Sequence, residues 1–446
     1  MKKLLPLLIS LSLGGTHLAH ADDLAEIYNQ AKENDPLLLS SKADRDAAFE
    51  AINSSRGVLL PQINLTAGYN ITRNIDSHDS HRPSAYTDEN NNFTAGLDFS
   101  QQLYQRDSWV NLDIAEQNAR QQDSSYASQQ QSLILRVSQA YFGVLQAQDN
   151  LSFVSAEKKA VGRQLEQTKQ RFDVGLSAIT DVHDAQAQYD SVLADEILAQ
   201  NDLTNSYEEL REITGQDNKD LRILDTKRFS ASTPQTTQNS LVDEAQTKNL
   251  DLLTARIAQD IAKSNISLAN SGYTPSLTLD AGYQYSDVDA HNDHSSLNNY
   301  KSNDYNVGIN LVVPLYQGGS TSADVKTAQY QYVSASQQLE ATYRGVVKNV
   351  RAYYNNINAS IGTIRAYQQS VVSAKSALEA TEAGYEVGTR TIVDVLDSTR
   401  SLYDANRNLS DARYNYILSV LQLKQAVGTL SEQDILDINT GLVAAK

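Results

Sequence analysis

INLTAGYNI, residues 63–71, puts Ile63, Leu65, Ala67, Tyr69 and Ile71 on one face of an extended chain and Asn64, Thr66, Gly68 and Asn70 on the other. LTLDAGYQY, residues 277–285, repeats the pattern with Leu277, Leu279, Ala281, Tyr283 and Tyr285 against Thr278, Asp280, Gly282 and Gln284. Two more strands follow the same rule, through Phe93, Ala95, Leu97 and Phe99 and through Tyr305, Val307, Ile309, Leu311 and Val313. Polar stretches, 73–92 and 287–304, separate the members of each pair. Such strands fit either a half-buried sheet in a soluble domain or the wall of a membrane barrel. In lipid, four strands cannot close a barrel and an open edge would leave its backbone groups unpaired. Several chains would then share one barrel, and a dimer, a trimer and a tetramer are each geometrically possible.

Composition agrees with little dry core. Only 40% of the 446 residues are hydrophobic, and the formal net charge is −17. That acidity argues against a nucleic-acid surface, which needs clustered Lys and Arg to displace counterions. MKKLLPLLISLSLGGTHLAHA, residues 1–21, fits a secretory signal cleaved before Asp22, so the mature chain is expected outside the cytoplasm. Beyond it no apolar run approaches 18 residues, which leaves strands as the route into a membrane. The chain has no cysteine, which removes disulfides, thiolate metal sites and a lipidated N-terminus.

Prolines leave two uninterrupted tracts, roughly 107–217 and 319–430, both rich in Ala, Gln, Leu, Glu and Lys. Each reads as helix, tight turn, helix. In the second tract Ile357, Ile364, Val371, Leu378 and Tyr385 recur every seven residues, with Ser360, Tyr367, Ala374 and Thr381 three places further on. That is coiled-coil spacing with small partners.

The two halves correspond at an offset of 212–214 residues. RFDVGLSAITDVHDAQA (171–187) matches GYEVGTRTIVDVLDSTR (384–400), Pro61 matches Pro275, and Leu103-Tyr104-Gln105 matches Leu315-Tyr316-Gln317. The chain is a duplicated unit of short helix, strand, loop, strand, long helix, turn, helix. Its expected divisions are a signal peptide 1–21, a first repeat 22–215, an equatorial linker 216–245, a second repeat 246–429 and a tail 430–446. Strands are expected at about 63–73, 93–104, 276–287 and 304–316, with helical hairpins over about 107–214 and 320–428. Gly175 and Gly388 supply the backbone freedom at the twin turns. Strand pairs and turns fall at opposite ends of the helical hairpins, roughly 100 Å apart at the rise of a helix.

DRDAAFEAIN (44–53), LLPQ (59–62), QRFDVGLSAITDV (170–182), QAQYDSVLA (186–194), PLYQGG (314–319), NNINASI (355–361), VGTRTIVDVLD (387–397) and ARYNYIL (412–418) resemble the TolC family of outer-membrane channels of Gram-negative bacteria. The resemblance covers essentially the whole mature chain. It implies an α+β membrane protein: a homotrimer sharing a 12-stranded transmembrane β-barrel, four strands per chain, continued by a long α-helical coiled-coil tunnel in the periplasm. It further implies an exit duct for tripartite multidrug efflux pumps and type I secretion, working with a periplasmic adaptor (membrane fusion) protein and an inner-membrane efflux or ABC transporter. Its partners are then its own copies, these proteins and outer-membrane lipid, with no nucleic acid and no cofactor.

Differences between the twins mark candidate functional residues. Tyr385 replaces Phe172, Arg390 replaces Ser177, and Val393 stands where the first copy has Thr180. Donors on one hairpin tip and acceptors on its neighbour make a latch, Arg390 to Thr180 and Asp181 and Tyr385 to Asp181, or else are ordinary surface groups beside a turn. The resemblance implies the latch and adds Gln164 and Glu382 to it. Asp394 and Asp397, three apart on a helix, share a face, either as a solvated surface or as part of a cation-favouring ring. The resemblance implies the ring, at the narrowest point of the tunnel, and docking of the adaptor at the turns around Val174, Gly175, Val387 and Gly388. One departure is Asp184, at the position matching Asp397, where a close relative is uncharged. Cation binding beyond Asp394 and Asp397 has only His78/His81 and His291/His294 as weak candidates, and Trp109 is a candidate for the membrane interface. No Walker loop, Gly-x-Ser-x-Gly, His-Glu-x-x-His or dinucleotide fingerprint occurs, so no enzyme is expected. A periplasmic coiled-coil adaptor or scaffold would explain the helices but leave the strands without a role, and a pore-forming toxin would not need the duplication.

Overall fold

The computed structural model describes residues 22–76, 86–292 and 299–444. The first repeat runs α1 (Leu24–Asn34), α2 (Pro36–Val58), β1 (Gln62–Asp76), β2 (Tyr86–Gln105), α3 (Arg106–Asp173) and α4 (Ile179–Thr214), and β3 (Ile223–Leu224) follows it. The second runs α5 (Gln238–Lys248), α6 (Leu250–Ser271), β4 (Ser276–Asn292), β5 (Tyr300–Val312), α7 (Ser320–Glu386) and α8 (Ile392–Val427), and the tail holds α9 (Glu432–Asn439) and β6 (Leu442–Val443). Duplication shows in the lengths: α3 and α7 have 68 and 67 residues, and α4 and α8 have 36 each. The strands continue beyond their apolar alternation, as in the pairing of Asn70 with Asn92 and Arg73 with Glu89. A ladder joins backbone groups and does not require alternation, so the strands reach into the polar stretches. At its other end β5 stops at Val312, two residues before Pro314, which has no N–H to donate. His78, His81 and His294 lie outside the described residues, and His291 is described only as a backbone position in β4.

The described chain divides into two compact units, and each draws on both repeats. One comprises Ser40–Ser128 and Leu250–Gly345. It holds an antiparallel sheet of order β1-β2-β4-β5. Register aligns the apolar positions across all four strands: Leu65 faces Leu97, Leu97 faces Tyr283, and Tyr283 faces Tyr305. Asn64, Asp98, Gly282 and Asn306 align likewise on the opposite face. The apolar face lies open, with Leu65 80% and Val307 79% exposed. Among the described residues, β1 and β5 each have one unpaired edge. The helices of this unit bury mostly small side chains, such as Ala115, Ala119, Ser124 and Ala328. Polar contacts join them, including Arg45 to Asp123 at 2.6 Å and Gln259 to Ser336 at 2.9 Å.

The other unit comprises the described residues up to Leu39 together with Gln129–Asn249 and the described chain from Val346 onward. Its core includes Tyr141, Phe142, Leu133, Leu145, Leu210 and Leu421. The Tyr141 hydroxyl donates to the Arg222 carbonyl at 2.7 Å, and the Phe142 and Tyr414 rings lie 5.7 Å apart. β3, from the stretch after the first repeat, pairs with β6, from the tail. α1 and α2 meet at Asp35, whose carboxylate accepts the Leu38 N–H at 2.7 Å and two Arg136 bonds at 2.8 and 2.9 Å. The heptad stripe of α7 is buried at Ile357 and Ile364 and half-buried at Val371, Leu378 and Tyr385. In α4 the buried positions Ala185, Val192, Ala199 and Ser206 also recur every seven residues.

Candidate functional site: the twin hairpin turns

The turns joining α3 to α4 and α7 to α8 have the same backbone. Gly175 and Gly388 sit at φ 77° and 78°, a left-handed conformation that costs glycine little. The Leu176 N–H donates to the Arg171 carbonyl at 2.7 Å and the Gly175 N–H to that of Phe172 at 2.8 Å. In the second turn Thr389 donates to Gly384 at 2.8 Å and Gly388 to Tyr385 at 3.1 Å. This pair of bonds satisfies the last carbonyls of the helix and accounts for the repeated Val-Gly. Val174 and Val387 stand out from the tips, 70% and 75% exposed.

The repeated Asp of the Asp-Val pair starts the next helix. The Asp394 carboxylate accepts the Thr391 N–H and hydroxyl, both at 2.9 Å, and the Asp394 N–H donates to the Thr391 hydroxyl at 3.3 Å. Ala178 has no hydroxyl, so in the first copy Asp181 takes the Ala178 N–H at 3.2 Å and the Ser177 hydroxyl at 2.6 Å. The Thr391 N–H, then its hydroxyl, and the nearby Arg390 charge hold the Asp394 carboxyl below the usual carboxylate range. Within one chain this runs opposite to the upward shift that a crowded acidic ring produces.

Behind the turns, Val154, Val161 and Leu165 of α3, Ala185, Val192 and Ala199 of α4, and Ile392, Val395 and Leu396 of α8 form one apolar cluster. Leu378 and Tyr385 of α7 pack against it. The hairpin ends are thus built on a packed base while their tips face solvent.

Of the latch candidates, Thr180, Glu382 and Arg390 are exposed, and Asp181 and Tyr385 are half-buried. Among the described residues of the single chain, no hydrogen bond joins Tyr385 or Arg390 to Thr180 or Asp181. The Tyr385 hydroxyl is buried without a partner. Gln164 donates from Nε2 to Thr399 on α8 at 3.0 Å, while its Oε1 has no partner. Asp397 is exposed and, unlike Asp394, its carboxylate serves no cap; Asp184 is exposed as well. Trp109 lies exposed in the first turn of α3. Sequence reasoning passed over Arg171, whose guanidinium lies 4.7 Å from the centre of the Tyr385 ring. A cation in the last turn of a helix is ordinary, and only the packing of α3 against α7 gives it a ring.

The family described as "Outer membrane efflux protein" matches residues 27–216 and 241–429, one match per repeat. The chain is 65% identical over 447 residues to outer membrane protein TolC of Vibrio cholerae, covering all of both chains. It is 28% identical to the alkaline protease secretion protein AprF of Pseudomonas aeruginosa, covering 94% of this chain and 86% of that one. The crystal structure of the Campylobacter jejuni CmeC outer membrane channel shares the fold, with TM-score 0.76 at 16% identity over 94% of this chain and 90% of that one. The chain therefore belongs to the outer membrane efflux protein family, as an outer-membrane channel of a Gram-negative bacterium, not an enzyme, whose four strands contribute to a trimeric barrel.

Proposed function

We propose that this channel is gated at its periplasmic entrance by the twin turns and serves as the exit duct of tripartite efflux pumps and of type I secretion. The observation that carries the reading is the set of unspent hydrogen-bonding groups at the turns: the Tyr385 hydroxyl, the exposed Arg390 guanidinium and the exposed Thr180 hydroxyl. Neighbouring hairpins supply the complement, Tyr385 and Arg390 donating and Thr180 and Asp181 accepting. Glu382 and the free Oε1 of Gln164 belong to the same rim. Such links, partly hydrated, contribute about 1 kcal/mol each, enough to hold a closed state that a partner can release.

Protruding Val174 and Val387, each beside its left-handed glycine, suit the tips of a periplasmic adaptor's own hairpins. A duct supplies no energy, so an inner-membrane efflux or ABC transporter drives transport through that adaptor. The similarity to AprF, an alkaline protease secretion protein, supports the secretion half of this reading. Asp397, with its carboxylate free, is the main contributor to an acidic ring at the mouth; Asp394 adds charge while also capping α8.

Single-channel recording in planar bilayers tests the gate. Replacing Tyr385→Phe and Arg390→Ser together, the residues of the first copy, raises open probability about fivefold for each kcal/mol removed; unchanged conductance would overturn the reading. Asp397→Asn lowers permeability to cations relative to anions and weakens block by multivalent cations, and identical selectivity would remove Asp397 from the ring.

A further inference from the structure

We propose that Arg171 is a positioning residue of the entrance gate, holding the Tyr385 ring so that its hydroxyl is presented to a neighbouring hairpin. The inference rests on the gated reading and adds to it a residue that acts through the ring of a gate residue. Arg171 lies in the last turn of α3 and Tyr385 in the last turn of α7. With its Cζ 4.7 Å from the ring centre, the guanidinium is inside the range where a cation is drawn to an aromatic face. Both residues are half-buried, and partial removal from water strengthens such a contact. The Nε of Arg171 is buried and makes no hydrogen bond, so the ring is the partner the structure gives this guanidinium. The Tyr385 hydroxyl is also buried and unpaired: the ring is fixed while its polar end is unused.

Comparison of the copies supports the assignment. Position 384 is the counterpart of 171, and it is glycine. A Cβ there would lie 2.7 Å from Cγ of Arg390 and 3.3 Å from Oγ1 of Thr389, so the Arg390 stem runs against the bare Gly384 backbone. Position 177, the counterpart of 390, is Ser. Each turn thus carries one guanidinium, but on opposite sides of its glycine. The second copy's arginine lies past the turn, with an exposed head free for a neighbour. The first copy's arginine lies before the turn and is directed inward onto Tyr385. The phenolic ring belongs to the second copy alone, since its counterpart is Phe172. The brace and the hydroxyl it positions were therefore acquired by different copies and meet across α3 and α7.

A double-mutant cycle on the full-length oligomer, read by single-channel open probability, tests this. Arg171→Met keeps the stem and loses the charge; it should raise open probability about two- to fivefold per chain, and Arg171→Lys should raise it less. Tyr385→Phe keeps the ring and loses the hydroxyl, and should also raise it. If Arg171 acts through that hydroxyl, the double variant Arg171→Met/Tyr385→Phe is no more open than Tyr385→Phe alone. Should Tyr385→Phe open the channel while Arg171→Met does not, the gate stands and the role of Arg171 falls. An equal further rise on the Tyr385→Phe background would make Arg171 a packing brace unrelated to the hydroxyl, which also overturns the proposal. No rise in any variant would overturn the gate itself and this inference with it. If Arg171→Met fails to assemble, the same cycle with Arg171→Gln, which also removes the charge, gives the same readings.

Discussion

Asp35 shows how a mostly polar chain still places one charge where water cannot reach it. Its side chain is 2% exposed, and burial alone would raise its pKa; the paired Arg136 hydrogen bonds, the Leu38 N–H and the Arg136 charge hold it below the usual range. A depressed pKa means that the unfolded chain binds the proton more readily, so stability from this pair is present above about pH 4 and is lost as pH falls through the folded value. Arg136→Met leaves a buried carboxylate and should cost about 3–5 kcal/mol at neutral pH. It should also reverse the sign, because burial then dominates and protonation favours the fold. Denaturant unfolding between pH 3 and 7 checks this, and a parallel downward shift of the whole curve would refute it. At this scale a departure from the twin is what the sequence offers for singling out a candidate, as at Tyr385 and Arg390. It was silent where a role depends on which helix lies opposite, as for Arg171 and for Gln164 with Thr399. The Thr391-to-Asp394 spacing is that of a capping box, legible in the sequence beside the acidic pair it overlaps.

At the scale of elements, the helix ends were the most legible, since glycine at a helix terminus has a single strong reading. Four such glycines close helices here, at 175, 215, 388 and 428, all at positive φ. They differ in surroundings. A Cβ on Gly388 would meet nothing within 4 Å, whereas one on Gly428 would lie 2.2 Å from the Lys248 carbonyl oxygen and 2.5 Å from its carbon. Gly388→Ala should therefore cost only the left-handed strain, about 1–2 kcal/mol. Gly428→Ala must in addition displace backbone where α8 ends beside α5, and should be more destabilising. Thermal unfolding of the two variants makes the comparison, and equal losses would refute it. Strand existence was as clear as helix existence, but strand length was not. The ladders run on through Asn, Asp and Ser that carry no alternation.

At the scale of the molecule, the duplicated sequence does not divide into two half-length domains. Each compact unit takes segments from both copies, as where β2 of the first pairs with β4 of the second. Sequence alone showed the repeat and the thin core; it left the number of chains open, because amphipathic strands define a wall and not a circumference. The apolar face of the sheet gains its burial only from lipid. Leu65→Arg on that face should cost about 2–4 kcal/mol if it lies near the bilayer centre, whereas Asn64→Arg on the other face should be tolerated. Recovery of folded oligomer from outer-membrane fractions measures the difference, and equal recovery would place the sheet elsewhere than in lipid.

The pairing of β2 with β4 joins the last strand of one copy to the first strand of the next. The free edges of β5 and β1 offer the same kind of junction between chains. Six separate half-length units would have to find one another in solution or at the membrane to close such a ring, whereas three fused chains arrive with every second junction already made. Fusion converts those encounters into intramolecular ones at high effective concentration. Ring closure then depends on the third power of chain concentration where six separate pieces would need the sixth, which favours complete assembly when few copies are being exported.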